Sequence, residues 1–415
     1  MKKTGMRRII AVLLACLLLC AFMPLTAGAD FTTAPMAASG GCHSYALKSD
    51  GTIWCWGRTS PTRIDITEVT SISASGERRS DPIDSHVLML KNDGTVWARG
   101  ENTYGEIGDG TLEFRSVPAP VPDLDGVVSI SAGGTFSLAL KSDRTVWAWG
   151  HNTSGQLGDG TTARSLQPVQ VQGLNDITAI SSGHAHSIAL HRDGTVWAWG
   201  GGAAGILGNG TVDGSLTPVH MQNLSGVTAV AAGSNFCLAL RNDGTVWGWG
   251  ENGGGQLGDG TSINRPLPVQ AEGLSDVTVI AAGRNHGLAV EKNGTAWGWG
   301  SNDLGAVGLG DTTYYHRKPV QVRDLSNVIF VAAGVHNSLA ITKDGTVWTW
   351  GDKQYAGPGK SCNYWPVKVK NPEGSGSLKV LPPRAPTVFT TKYASNVWNW
   401  MMFFVCFGWI WMWFR

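Results

Sequence analysis

The sequence predicts an all-β protein, a seven-bladed β-propeller of four-stranded blades. Three observations lead to this fold class: a tryptophan-containing phrase that recurs seven times, a regular repeat length, and a lack of helical periodicity within the repeat. The phrase is most complete at 193–200, DGTVWAWG. Its other copies are DGTIWCWG at 50–57, DGTVWARG at 93–100, DRTVWAWG at 143–150, DGTVWGWG at 243–250, NGTAWGWG at 293–300 and DGTVWTWG at 344–351.

The repeat length is nearly constant. The first tryptophans of the phrases at positions 97, 147, 197, 247 and 297 are spaced by 50 residues, and the remaining two stand at 54 and 348. Such a period is typical of propellers, solenoids and arrays, and the content of one unit decides among them. The unit 177–227 contains four short β-branched or aromatic runs bounded by Gly, Asp, Asn or Pro: ITAI, HSIAL, TVWAWG and PVHM. Each unit is therefore predicted to form four strands.

The phrase itself predicts a hairpin. Asp193-Gly194 separates HSIAL from TVWAWG and is typical of a two-residue turn that needs positive φ at both positions. Along TVWAWG, alternate residues share a face, and both faces are apolar. A strand that is apolar on both faces must be covered on both sides, as a propeller blade is by its neighbours.

Closure of the ring can also be predicted. The repeat region begins with MAASGGCHSYAL, which lacks a preceding strand of the VTAI type, and ends after WPVKV without a following hairpin. We therefore expect the N- and C-terminal strands to share one blade, which would remove the exposed sheet edges. An open superhelical stack is the alternative.

The two chain ends predict export and anchoring. Residues 1–29 have the pattern of a signal peptide, with four basic residues before the apolar run 9–22 and small residues before Asp30. A retained membrane helix and a lipid-modified Cys16 or Cys20 are the alternatives. Residues 397–414, VWNWMMFFVCFGWIWMWF, predict a C-terminal transmembrane segment, and a segment docked on the domain is the alternative. Between them lie the propeller, 30–371, and a Pro/Gly/Ser-rich linker, 372–396. The protein is predicted to lie on the extracellular face of the cell membrane or to be secreted.

Charge and cysteine content limit the partners. The formal net charge is +1, with 15% charged residues, so the chain lacks the basic surface that nucleic-acid binding requires. Cys42, Cys55, Cys237 and Cys362 form no CxxC pair, and zinc binding is not indicated. Cys42 and Cys55 could be bridged across a hairpin or could be free core residues.

The repeat resembles a known family. The combination of AAGRNHGLAV and NGTAWGWG within 281–300, NGGGQLGDGT at 252–261 and the recurring PVQV is similar to the regulator of chromosome condensation repeat, over about Ala38 to Val369. The resemblance implies a seven-bladed β-propeller. It does not imply one activity, because the family includes an exchange factor for a small nuclear GTPase, ubiquitin ligase modules and a bacterial secreted inhibitor of β-lactamases.

Several recurring motifs are interpreted as structural. Histidine precedes the second strand in four units, but Phe or Asn takes its place in the others, so we interpret it as a blade-core or strand-pairing residue; the positions are His43, His86, His186 and His286, against Phe136, Phe236 and Asn337. GxGxxG at 200–205 and 253–258 is followed by a strand instead of a helix, which excludes a dinucleotide fold. GQLGDGT supplies one carboxylate per copy, too few for calcium. We predict no cofactor, no metal and no enzymatic activity.

Departures from the repeat are the candidate binding sites. One is the extra polar segment after Gly76, with Arg78, Arg79, Asp81 and Asp84; the other is Tyr314, Tyr315, His316 and Arg317, where other units carry small polar residues. Tyr and Arg are enriched at binding hot spots. Solvated loops without function are the alternative interpretation. Arg144 in place of the turn glycine and Arg99 in place of the second tryptophan indicate locally weakened structure.

The predicted function is therefore an exported, surface-anchored binding scaffold whose rim loops engage a protein or glycan partner. The alternative is an inhibitor or regulator of a specific enzyme. A guanine-nucleotide-exchange regulator is less favoured, because the predicted export signal would separate it from a cytosolic GTPase.

Overall fold

The computed structural model describes residues 36–40, 43–57, 61–75, 85–352, 363–371 and 375–380, and these form seven four-stranded antiparallel sheets in a ring. Each sheet is one blade, built from four consecutive strands. Blades 1 to 3 contain β1 (Met36–Ser39), β2 (Ser44–Leu47), β3 (Ile53–Trp56), β4 (Thr62–Ile64); β5 (Val69–Ala74), β6 (Val87–Lys91), β7 (Val96–Gly100), β8 (Arg115–Pro120); and β9 (Val127–Ala132), β10 (Phe136–Lys141), β11 (Val146–Gly150), β12 (Ser165–Gln170).

The remaining four blades follow the same order. They contain β13 (Ile177–Ser182), β14 (His186–His191), β15 (Val196–Gly200), β16 (Ser215–His220); β17 (Val227–Ala232), β18 (Phe236–Arg241), β19 (Val246–Gly250), β20 (Arg265–Gln270); β21 (Val277–Ala282), β22 (His286–Glu291), β23 (Ala296–Ser301), β24 (Tyr315–Gln321); and β25 (Val328–Ala333), β26 (Asn337–Thr342), β27 (Val347–Gly351), β28 (Asn363–Lys368). The only helical segments among the described residues are two three-residue 3-10 turns, Ala203–Gly205 and Asp303–Gly305. The predicted fold class is confirmed.

The hydrophobic core lies between neighbouring blades. One cluster joins Leu88 and Val96 of blade 2 to Ile130 and Trp149 of blade 3, and equivalent clusters recur around the ring. Each blade is therefore covered on both faces, as the apolar pattern of TVWAWG predicts. The burial of both faces is what makes the ring, and not the isolated sheet, the stable unit.

The hairpin turn differs from the two-residue turn that the sequence predicts. Gly194 has φ of +84°, but Asp193 has no positive φ, and Gly194 N–H donates to His191 O. The turn is a type I turn followed by a left-handed residue. Its cause is the aspartate side chain, because Asp193 Oδ1 accepts hydrogen bonds from the backbone N and the hydroxyl of Thr195 at 2.9 and 2.7 Å.

The ring does not close by a shared blade, so that prediction is wrong. Met36–Ser39 forms the innermost strand of blade 1, and blade 7 is completed by its own strands. Blades 1 and 7 pack side by side instead: Ala46 and Trp56 share a core cluster with Leu339. Asn337 also accepts a hydrogen bond from Ser39 Oγ at 2.9 Å. The four apolar and small residues MAAS are sufficient for the short inner strand, and no strand is exchanged between blades 1 and 7 in the described part of the chain.

Residues 375–380 belong to the packed structure, which corrects the beginning of the predicted linker. Leu378 and Val380 are buried in the core cluster of blade 7. Leu378 N–H donates to Val369 O at 2.7 Å, and Val347 N–H donates to Leu378 O at 3.1 Å. This short segment therefore pairs with the last blade after the fourth strand has ended.

Other predictions about the chain ends stay untested. The predicted signal peptide, the rest of the linker and the predicted transmembrane segment at 397–414 lie outside the described residues. Within the described ranges, no helix is both long and apolar enough to cross a membrane. Cys55 and Cys237 are free, buried thiols, and Cys42 lies outside the described residues.

Candidate partner-binding surface

The antiparallel order gives the ring two faces. The connections between first and second strands and those between third and fourth strands lie on one face, and the remaining connections lie on the other. We call the third-to-fourth connections lobes; they are residues 101–114, 151–164, 201–214, 251–264 and 302–314 in blades 2 to 6. We call the first-to-second connections axial turns. Both meet on the lobe face: Gly201 N–H, in a lobe, donates to Ala185 O, in an axial turn, at 2.8 Å.

A buried asparagine fixes the shape of most lobes. In blade 3, Asn152 Nδ2 donates to Thr161 O and Ala163 O, and its Oδ1 accepts from Leu157 N–H at 2.9 Å. The side chain thus bridges the two ends of the lobe. The GQLGDGT aspartates close the same structure: Asp259 accepts from Thr261 and pairs with Arg265 at 2.9 Å. These contacts support interpreting GQLGDGT as a turn. Across the described residues, no group of three or more His, Cys, Asp or Glu side chains is placed to hold a metal ion.

Each lobe docks on the next blade. In blade 4, Trp199 Nε1 donates to Gln156 O of the preceding lobe at 2.9 Å, and Gly160 N–H of that lobe donates to Leu216 O on the outer strand. The same tryptophan bond recurs in blades 3, 5, 6 and 7, at Trp149, Trp249, Trp299 and Trp350. Blade 2 carries Arg99 instead, and blade 1 has only residues 57–61 between β3 and β4. The hydrogen bond from the second tryptophan is therefore present where a full lobe precedes the blade.

Three of the four repeated histidines pack between blades, in the structural role that their recurrence predicts. His86, His186 and His286 are buried. Their Nε2 atoms lie 3.1, 3.1 and 2.9 Å from the hydroxyl or thiol of the next blade, at Ser137, Cys237 and Ser338. Burial lowers the pKa of His186 and of His286 to about 3. Burial also raises the pKa of the Cys237 thiol, which opposes a nucleophilic role for the His186–Cys237 pair.

The exposed apolar surface is concentrated on the lobes and outer strands. In the described part of the chain, every large hydrophobic side chain that is exposed lies there, and none lies on the inner strands or on the other face. We call this set the rim belt: Leu112, Phe114, Val117, Val212, Leu216, Ile263, Tyr314, Tyr315 and Trp365. Single exposed hydrophobic residues are ordinary, but their restriction to the lobes and outer strands of the ring indicates a binding surface there.

The predicted site at 314–317 lies in the rim belt. Tyr314 is 70% exposed and Tyr315 51% exposed, and their ring centroids are 6.4 Å apart. Tyr315 packs over Gly254 of the blade 5 lobe, where a Cβ would lie 3.4 Å from the ring. His316 Nε2 lies 3.3 Å from Asp311 Oδ1, and Arg317 is exposed. The two tyrosines and Arg317 therefore present two aromatic rings and one cation to solvent.

The segment 314–317 packs closely on the backbone of the blade 5 lobe. Gly255 has φ of +79°, and a Cβ on it would lie 2.7 Å from Arg317 Cα. Gly260 N–H donates to Arg317 O at 2.9 Å. The glycines of the blade 5 lobe therefore allow the outer strand of blade 6 to lie directly on it, which holds the tyrosines in place. Lys318 continues the contact through an ion pair with Glu272 at 2.6 Å.

The other predicted site, Arg78, Arg79, Asp81 and Asp84, lies outside the described residues. Its flanks are described: Ser75 N–H donates to His86 O, as Gly133 N–H donates to Phe136 O. Ten residues thus separate the flanking pair in blade 2, where two separate it in blade 3. Trp365, which is 55% exposed, was not among the predicted site residues; its place on the outer strand, one strand beyond the tryptophan phrase, was the available signal.

A closed ring of seven equivalent blades with docked lobes defines a repeat β-propeller. Comparison with known families specifies its type. The model described as RCC1-like domain matches residues 167–382, and models described as the Regulator of chromosome condensation (RCC1) repeat match residues 93–140 and 143–190, and 37–60 and 127–156. The chain belongs to the RCC1 repeat family.

Individual relatives are more distant. The chain is 36% identical to Protein pim1 of Schizosaccharomyces pombe over 66 residues, which is 16% of this chain and 12% of that protein. Among solved structures, human WBSCR16 is similar at 25% identity with a TM-score of 0.67, covering 75% of this chain and 84% of that one. Prp20p from Saccharomyces cerevisiae is similar at 23% identity with the same TM-score, covering 83% and 94%. The Prp20p match shows the shared fold.

Proposed function

We propose that this protein is an exported, surface-anchored scaffold that binds a protein or glycan partner through the rim belt, without catalysing a reaction. The observation that carries the proposal is the restriction of the exposed large hydrophobic residues to the lobes and outer strands. Exposed tyrosine and tryptophan rings beside an arginine are suited to both protein and sugar surfaces, because they offer apolar area together with polar edges.

Support from relatives is general. The structure of Prp20p is described together with its binding properties to Gsp1p and histones, so a protein partner on this fold has a precedent. No partner identity is transferred at 23% sequence identity. The formal charge of +1 gives no argument for nucleic acid.

The test is partner capture with matched variants. The tagged full chain is cross-linked on producing cells, recovered, and compared with a variant in which Tyr314→Ser and Tyr315→Ser remove both rings. The control replaces two exposed residues of the opposite face, Lys292→Ser and Lys343→Ser. We expect the tyrosine variant to lose the partner and the control to retain it. Equal recovery by both variants would refute the rim belt as the binding surface.

The captured partner also separates the alternatives. A wall polymer or surface glycoprotein would support adhesion. One stoichiometric enzyme whose turnover falls on binding would establish the inhibitor function, and a GTPase whose nucleotide exchange accelerates would establish exchange activity. Protease treatment of intact cells tests the location separately: release of the propeller supports an anchored extracellular domain, and its protection would contradict surface exposure.

A further inference from the structure

Two departures from the repeat meet between blades 5 and 6. One is the tyrosine pair of blade 6, and the other is Gly253-Gly254 in the blade 5 lobe. The lobes of blades 2, 3, 4 and 6 carry side chains at these two positions: Thr103-Tyr104, Thr153-Ser154, Ala203-Ala204 and Asp303-Leu304. The blade 5 lobe therefore lacks side chains where the tyrosines of the next blade border it. We call Gly253, Gly254 and Gly255 the glycine patch.

The glycine patch leaves an open surface beside Tyr315. Gly253 is exposed, and a Cβ added to it would meet no atom within 4 Å. A Cβ on Gly254 would lie 3.4 Å from the Tyr315 ring, so the ring rests against the backbone there. The same side chain is 51% exposed. Tyr315 is thus held by the fold and remains accessible, so a ligand would not have to order it on binding.

Arg317 lies beside this ring. Alternate residues of a strand share a face, so Arg317 and Tyr315 both point toward the blade 5 lobe. The stem of Arg317 packs on Gly255, where a Cβ would lie 2.8 Å from Arg317 Cγ. Two arginines on other outer strands, Arg115 and Arg265, form ion pairs with lobe aspartates. Within the described ranges, the guanidinium group of Arg317 forms no ion pair and no hydrogen bond, so its donors face solvent.

The neighbouring carboxylates have other positions or partners. Glu272 pairs with Lys318, Asp259 pairs with Arg265, and Asp311 lies 3.3 Å from His316. Glu251 begins the blade 5 lobe at its axial end, where its backbone N–H donates to Asn235 O. The glycine patch therefore has a carboxylate at its axial end and a cation at the outer strand. This polarity favours a ligand whose negative charge lies over the outer strand.

We propose that the glycine patch, Tyr315 and Arg317 bind an acidic saccharide of the uronic acid class. A pyranose ring has an apolar face of C–H groups and polar edges, which matches a tyrosine ring and its hydroxyl group. The planar guanidinium group donates two parallel hydrogen bonds to a carboxylate. The patch is flat because it is glycine, whereas the anchoring side chains of protein partners fill desolvated pockets. The proposal rests on the partner-binding function of the rim belt and names the class of partner.

The test is calorimetric titration of the full chain, in neutral detergent, with a linear tetramer of galacturonic acid and with its methyl ester. The ester keeps the sugar rings but carries no carboxylate charge. We expect saturable binding of the acid and weaker binding of the ester. Arg317→Gln should lower the affinity for the acid by about tenfold and leave that for the ester within about twofold. Arg164→Gln removes the same charge from an exposed residue of the blade 3 lobe and should leave the affinity for the acid within about twofold.

Two variants test the stacking surface. Tyr315→Ser should lower the affinity for both the acid and the ester by about fivefold, because both lose the ring. Gly253→Thr copies Thr153 of the blade 3 lobe and meets no atom of the fold, so the unfolding midpoint should stay the same. Its side chain stands on the glycine patch and should reduce the affinity for both sugars. Unchanged binding in both variants would refute the stacking surface.

The remaining outcomes separate this proposal from the broader one. Lack of saturable binding of the acid, equal affinity for the acid and the ester, or equal losses in Arg317→Gln and Arg164→Gln would overturn the saccharide. Equal affinity for dextran sulfate would reduce the effect to charge attraction and would overturn it as well. A failed titration together with loss of a captured protein in the tyrosine variant would refute the saccharide and support a protein partner. Equal capture by the tyrosine variant and its control would refute the rim belt itself.

Discussion

The hydrogen bond from the second tryptophan of the phrase gives a quantitative test of how lobes hold the ring together. Trp199 and Trp56 are both completely buried at equivalent positions of blades 4 and 1. Trp199 Nε1 donates to Gln156 O at 2.9 Å, whereas Trp56 Nε1 has no hydrogen-bond partner among the described residues. The same Trp→Phe change at the two positions therefore removes similar volume but only one hydrogen bond.

The expected difference follows from hydrogen-bond energetics. Trp199→Phe loses one neutral hydrogen bond, which contributes about 1 kcal/mol to the free energy of unfolding. Gln156 O still accepts a hydrogen bond from Ser187 Oγ at 2.9 Å, so the buried carbonyl is not left unsatisfied. Trp56→Phe instead removes a buried donor that has no partner among the described residues, which relieves about 1 kcal/mol or more of desolvation cost. Trp199→Phe should therefore be more destabilising than Trp56→Phe by about 2 kcal/mol.

The assay is equilibrium urea unfolding of both variants, followed by far-UV circular dichroism, with the slope m compared before free energies are derived. A double-mutant cycle sharpens it. Ser187→Ala combined with Trp199→Phe removes both donors from Gln156 O, and the double variant should lose about 1 kcal/mol more than the sum of the single variants. Equal costs at Trp199 and Trp56, together with additivity in the cycle, would show that the lobe bond does not stabilise the ring.

Three further predictions concern single positions. His186→Phe, which copies Phe136 of blade 3, should reduce acid sensitivity: a folded-state pKa of about 3 means that the stability due to neutral His186 is complete above about pH 6.5 and is lost as the pH falls toward 3. In urea unfolding, the free energy of unfolding of the variant should therefore fall by about 3 kcal/mol less between pH 7 and 4 than that of the unsubstituted protein. The same fall in both proteins would contradict this prediction. Arg144→Gly should raise the free energy of unfolding by up to about 1 kcal/mol, because φ at Arg144 is +71° and its ion pair with Asp176, at 3.9 Å, contributes little; a lower free energy of unfolding would show that Arg144 is not strained. Gly183→Ala should destabilise by roughly 1–3 kcal/mol, because its Cβ would clash with the His186 ring and with Gly233 O of the next blade, and wild-type stability would show that both can move aside.

The sequence could predict blade number and strand order because both depend on local signals that recur. Seven copies of one phrase with apolar residues on both strand faces leave few alternatives to a ring of equivalent sheets. The turn conformation was harder to predict from the sequence. An Asp-Gly pair is compatible with more than one turn, and the hydrogen bonds from Thr195 to Asp193 decide between them. Ring closure was missed for a related reason, since a strand as short as Met36–Ser39 has almost no sequence signal of its own.

The candidate surface was only partly predictable. Tyr314, Tyr315 and Arg317 were found because they interrupt a repeat, which is a property of the sequence. That these side chains share an edge with Trp365 and the other rim belt residues depends on where the lobes dock, and docking is a contact between different blades.

By itself, the sequence determined the family, the seven blades and the buried role of the second tryptophan and of His86, His186 and His286. These follow from periodicity, because a residue that recurs in every blade meets the same neighbours each time. Only the tertiary structure decided which faces carry the lobes, how blades 1 and 7 meet, and which non-repeated side chains come together. The physical reason is that residues facing the axis or the rim are brought together by ring closure, which places distant positions side by side without any local pattern in the chain.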